Sequence, residues 1–117
     1  MYEGSLDSPR HAMTIEKICK ADCTKNDNRR KLMNRVNRIC KTQKFDLVKV
    51  TRGIGVLAKR TGMGSVVCTS YPKDDRLVFS ASLHDVKKEK VVCTAIALDF
   101  EELMAKMLLV LLEISKQ

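Results

Sequence analysis

Tryptophan is absent from this chain, and aromatic residues make up only 4% of it. The core must therefore rest on aliphatic side chains, methionine and cysteine. Tyr2, Phe45, Tyr71, Phe79 and Phe100 are scattered along the sequence, so they form none of the stacking platforms that sequence-tolerant single-strand binders use. No apolar run approaches the roughly 20 residues needed to span a bilayer; the longest, residues 107–112, has six. Residues 1–13 lack the apolar stretch of a secretory signal. The cysteines number five, and an odd count without such a signal fits reduced thiols and a cytoplasmic or nuclear setting.

What the chain does have is positive charge, unevenly placed. Its 117 residues carry a formal net charge of +8, and length and composition suit one domain with one modest core. Residues 1–60 hold 15 Lys and Arg against 6 Asp and Glu, whereas residues 61–117 hold 7 against 8. Such asymmetry suggests an acidic partner: an anionic membrane surface, an acidic protein face or nucleic acid. A merely solvated basic surface is the plainer reading.

Residues 1–13 have no periodicity and read as a flexible tail or a cloning remnant, which leaves 14–117 as a single α+β binding domain. Residues 14–23 suit a short helix with Ile15, Ile18 and Cys19 on one side. In residues 29–42, Leu32, Met33, Val36, Ile39 and Cys40 recur on one face of a 3.6-residue period, and Asp27 or Asn28 suits the cap. Residues 45–50 alternate as a strand, residues 56–59 suggest a second and residues 66–70 a third. Gly53, Gly55, residues 61–65 and residues 72–75 read as turns. Residues 76–85 and 91–98 are the best strands, joined by the charged loop 87–90 as an antiparallel hairpin. Asp99 and Glu102 have capping-box spacing and open a last helix that is apolar nearly all round, with Glu102, Lys106 and Glu113 as a thin polar stripe. The expected fold is α+β: an antiparallel sheet of four to five strands packed against an N-terminal amphipathic helix and a long C-terminal helix.

Chemistry at a catalytic centre finds little support. His11 falls in the tail and His84 ends a strand, and neither has a carboxylate–nucleophile arrangement around it in sequence. Cys19 and Cys23 have tolerable zinc-ligand spacing, but no second pair follows. Cys40, Cys68 and Cys93 fall on apolar faces, where a free thiol behaves as a small hydrophobe. The Gly53-Ile54-Gly55 and Gly62-Met63-Gly64 steps lack the Lys-Ser/Thr of a phosphate loop. No catalytic residue, cofactor or metal is expected.

The informative constellation is basic. Arg30, Lys31, Arg35, Arg38 and Lys41 project from the polar side of the first amphipathic helix, and Lys44, Lys49, Arg52, Lys59 and Arg60 follow on the next elements. If they adjoin, they make one patch whose binding to a phosphate-rich ligand weakens with salt. With so few aromatics, a duplex or a membrane headgroup layer suits that patch better than a single strand. Replacing Arg35 and Arg38 by Glu is expected to abolish binding and spare the fold.

The run Asp74-Asp75-Arg76-Leu77-Val78-Phe79-Ser80-Ala81-Ser82-Leu83-His84-Asp85-Val86, the strand that follows from Lys88 to Ala97, and Asp99-Phe100-Glu101-Glu102-Leu103 entering a helix resemble the end of a kinase-associated domain 1. That module closes checkpoint kinases and kinases of the AMP-activated and microtubule-affinity-regulating groups. The resemblance covers about residues 29–117. It implies a helix, four antiparallel strands and a long last helix. It also implies a non-catalytic regulatory domain that binds anionic phospholipid through basic residues and docks on its own kinase domain to restrain it. A small basic nucleic-acid-binding protein, viral proteins included, is the alternative. A third reading is a homodimer formed through Leu103, Met104, Met107, Leu108 and Leu111.

Overall fold

The computed structural model describes residues 18, 26–41, 44–73 and 76–116. Helix α1 spans Asn26–Cys40 and helix α2 spans Leu47–Thr61. Strands β1 (Met63–Lys73), β2 (Arg76–Asp85) and β3 (Lys90–Ala97) follow, and helix α3 (Phe100–Ser115) closes the described chain. The three strands form one antiparallel sheet in the order β1-β2-β3. The architecture is α+β as expected, but with three strands and not four or five.

The missing strands lie in α2. Apart from Phe45, which precedes the cap, residues 45–50 and 56–59, read as strands, and Gly53 and Gly55, read as turn glycines, belong to one helix or its cap. Val50, Ile54 and Leu57 are its buried residues, and their i, i+4, i+7 spacing makes one helical stripe. Asp46 has extended backbone and caps the start: its side chain accepts from the amides of Val48 (3.1 Å) and Lys49 (3.2 Å). Gly62 ends the helix at φ 74°, the left-handed conformation that glycine adopts without a Cβ penalty. Gly53 permits close packing, since a Cβ there would stand 3.3 Å from Leu108 Cδ1. The observed order of helix, helix, three strands, helix therefore departs from the kinase-associated module where that module has its first strand.

Residues 63–65, read as part of a turn, already belong to β1 and pair with Asp85, His84 and Leu83. Pro72 and Lys73 also remain in β1, opposite Leu77 and Arg76 and past a register shift after Thr69; the rest of that expected turn, 74–75, lies outside the described residues. The β2–β3 hairpin forms as expected, with a register shift between Leu83 and His84. Residues 1–13 and the expected helix 14–23 also lie outside the description, apart from Ile18, which is helical and fully buried.

Helix α3 is the centre of the molecule. All of its residues from Glu102 to Leu111 are buried. The sheet contributes Ala81, Leu83, Ala95 and Ala97 to the core, α1 contributes Leu32 and Val36, and α2 contributes Val50, Ile54 and Leu57. The alanines let sheet and helix approach closely. Phe79 and Phe100 meet edge to face with ring centroids 6.2 Å apart, a geometry that aromatic pairs favour. Leu103, Met104, Met107, Leu108 and Leu111, read above as a surface for a second chain, are buried inside one chain. Packing on several sides accounts for the helix's apolar girth.

The polar stripe of α3 is internal too. Asp99 caps the helix by accepting from the Glu102 amide at 2.8 Å. Arg29 of α1 reaches both acids, with Nε 2.6 Å from Glu102 Oε1 and Nη2 3.2 Å from Asp99 Oδ2. Glu102 is 1% exposed, a burial that a carboxylate tolerates only when paired. Lys106, equally buried, donates to the Ile96 carbonyl at 2.7 Å.

Candidate functional site

Helical geometry separates the cations of α1. With 100° per residue, Arg30, Lys31 and Arg38 fall on one arc and are exposed, and Lys41, just past the helix end with φ 57°, is exposed too. Arg30 pairs with Asp27 one turn earlier at 2.9 Å, a solvent-exposed pair that contributes little. Arg35 departs from the expectation. Its side chain is 14% exposed and its Nη2 lies 3.7 Å from Glu113 Oε1 on α3. Burial lowers the Arg35 pKa, attraction to Glu113 offsets part of this, and Arg38 nearby adds to the lowering. Arg35 thus fastens α1 to α3, and placing it on the open face with Arg38 is corrected. The same holds for the expectation that Arg35→Glu spares the fold, since it would set two carboxylates side by side.

Arg29 shows the same fastening from the other end of α1. Its partial burial lowers its pKa, but Asp99 and Glu102 more than reverse this, and the net shift is upward.

The solvent face of α2 carries the rest. Lys49, Arg52, Val56, Lys59 and Arg60 fall within an arc of about 100° opposite the buried stripe, and all five are exposed. Val56 is 57% exposed, and Val48, at the edge of the arc, is 59% exposed. At the start of α2 this face meets the end of α1: the Cys40 thiol, whose pKa burial raises, feels the charges of Lys49 and Asp46. Arg38, Lys41 and Lys44 flank that junction and are exposed. Arg30 and Lys31 lie at the opposite end of α1.

At the far end of α2 the structure adds cations that sequence reasoning passed over as a charged loop. The Val86 amide donates to the Gly62 carbonyl at 3.2 Å. This bond holds the start of the β2–β3 turn, whose Lys87, Lys88 and Lys90 are exposed, at the Gly62 end of α2, the end that carries Lys59 and Arg60. Val86 and Val91, 60% and 53% exposed, accompany them. The turn is ordered by Asp85, which accepts from the Lys88 amide at 3.1 Å. The available signal was Gly62, since a left-handed cap after a helix redirects the chain into β1 and so fixes what β1's neighbour reaches.

Lys31, Arg38, Lys41, Lys49, Arg52, Lys59 and Arg60 make no ion pair among the described residues. Lys59 and Arg60 also face the negative end of the α2 dipole, so part of their contribution is to the helix itself. The site is thus a ridge along α2, cationic at both ends and along its length, with aliphatic side chains between the charges. It offers many N–H donors and few acceptors, which suits phosphate oxygens.

His84 and Cys93 are half-buried on the sheet, and among the described residues no group of three or more His, Cys, Asp or Glu is placed to hold a metal ion. No helix among these residues is long and apolar enough to cross a membrane. Comparison with known proteins returned no match among protein-family models, curated proteins or solved structures.

Proposed function

We propose that this chain is a non-catalytic binding module whose α2 ridge and β2–β3 turn engage an anionic phospholipid surface. One observation carries the reading. Exposed valines (Val48, Val56, Val86 and Val91) lie among the exposed cations of the ridge and turn, of which Arg38, Lys41, Lys49, Arg52, Lys59 and Arg60 make no ion pair among the described residues. Each Lys or Arg close to an anionic bilayer contributes about 1 kcal/mol, and shallowly inserted aliphatic groups add apolar burial. A nucleic-acid duplex would use the cations but gain little from the valines. The resemblance to kinase-associated domain 1 implies the same ligand. Docking on an acidic face of a kinase domain would draw on the same ridge.

The test is sedimentation with vesicles of phosphatidylcholine alone and of phosphatidylcholine with phosphatidylserine, beside a duplex-RNA shift assay. Binding to the anionic vesicles only is expected, reduced several-fold in V48S/V56S. Retention of full vesicle binding by that variant, or preference for RNA over the vesicles, would refute the lipid reading.

A further inference from the structure

Strand β2 turns alternate residues to opposite faces of the sheet. Ala81 and Leu83 point into the core, so Ser82 and His84 point to the other face. There His84 stands opposite Gly64 of β1, which has no side chain, and opposite Val91 of β3. The register shift after Leu83 leaves Val92 as an extra residue, so Val91 and Val92 together oppose His84. Val86 closes the remaining side, since a Cβ on Gly64 would stand 3.5 Å from Val86 Cγ2. His84 is thus half-buried in a collar of three exposed valines.

Among the described residues the His84 ring makes no hydrogen bond and no ion pair. The residues opposite it on β1 and β3 are uncharged. The nearest charges along the chain are Asp85, which accepts from the Lys88 amide, and Lys87, Lys88, Glu89 and Lys90 of the turn, all four exposed. Across the Val86–Gly62 bond lies the end of α2 that carries Lys59 and Arg60. The surroundings of the ring are therefore aliphatic at close range and mainly basic beyond.

We propose that His84 is a further contact residue for anionic phospholipid: its imidazolium, framed by the valine collar, donates to a headgroup phosphate, so that binding strengthens as pH falls. This rests on the lipid reading above. Val86 and Val91, already placed in the lipid-facing surface, are two of the three valines around the ring, so a headgroup layer that covers them also covers the imidazole. Histidine is the side chain whose charge changes between about pH 5 and 8. The neutral ring has one N–H donor and the cation has two. Protonation thus adds both a charge and a donor where phosphate oxygens stand. By linkage, a surface that favours the cation raises the pH at which the ring titrates.

Sedimentation with vesicles of phosphatidylcholine and phosphatidylserine, at about pH 5.5 and about pH 7.5 and constant salt, tests this. One further cation at such a surface tightens binding about 5-fold, so the unmodified chain is expected to bind about 3- to 5-fold more tightly at the lower pH. H84Q should lose that difference, and H84K should bind tightly at both values. H11Q, which removes the other histidine, should keep it. A difference that persists in H84Q, or binding of the unmodified chain without one, would overturn the proposal and leave the lipid reading standing. Binding at neither pH would overturn both. Should H84Q unfold, an NMR titration of the unmodified chain decides. The vesicles should raise the His84 titration midpoint by about 0.7 pH unit, the logarithm of the 5-fold change, and an unmoved midpoint in the bound chain would overturn the proposal.

Discussion

Arg35 and Arg38 lie three residues apart on one helix, yet they belong to different parts of the protein. The Arg35 side chain is almost covered and faces Glu113; Arg38 is exposed. Removing one member of a largely buried pair leaves the other less well compensated; for Glu113, Lys116 Nζ at 3.6 Å keeps part of the pairing. Arg35→Ala is therefore expected to lower stability by about 1–3 kcal/mol, reduced from the fully buried case by the residual exposure of both groups. Arg38→Ala should stay within about 0.5 kcal/mol. Urea denaturation checks both, and equal midpoints for the two variants would contradict the assignment. The periodicity of α1 placed Leu32 and Val36 correctly in the core. It could not place Arg35, because a residue at the margin of a stripe is buried or exposed according to what lies opposite, here the acid of a helix far along the chain.

At the scale of elements, α2 is the instructive case. Its glycines and β-branched residues imitate strands and turns, and local propensity yields readily to tertiary packing. The helix was nevertheless written in the sequence, in the Val50, Ile54, Leu57 stripe, in Asp46 before it and in Gly62 after it. The two interior glycines now separate. A Cβ at Gly55 meets nothing within 4 Å, whereas one at Gly53 meets Leu108. Gly costs a helix interior about 0.5–1 kcal/mol relative to Ala, so Gly55→Ala should raise stability by that amount and the melting temperature by about 4 °C. Gly53→Ala should gain less or lose, because Leu108 must yield. Thermal melts followed by circular dichroism compare them; a larger gain at 53 than at 55 would refute the packing described. By contrast, β2, β3 and α3 were legible almost to the residue, because strict alternation, a short charged turn and an Asp cap leave little ambiguity.

Across the whole molecule, the sequence made the excess of positive charge plain but not its distribution. Ten cations were named along residues 30–60. The structure withdraws Arg35 into the α1–α3 contact, sets Arg30 and Lys31 at the remote end of α1, and extends the ridge instead to Lys87, Lys88 and Lys90. Only the closure of β1 beside β2 brings that turn to α2, a long-range event that local patterns do not encode.

The central claim, that the α2 ridge is the anion-binding surface, is tested most directly by titrating phosphatidylserine-containing vesicles with the unmodified chain and with R52Q/K59Q. At about 1 kcal/mol per cation, the double variant should bind roughly 30-fold more weakly, with an unchanged fold and a shallower dependence on salt. Equal affinity for the two proteins at low salt would contradict it.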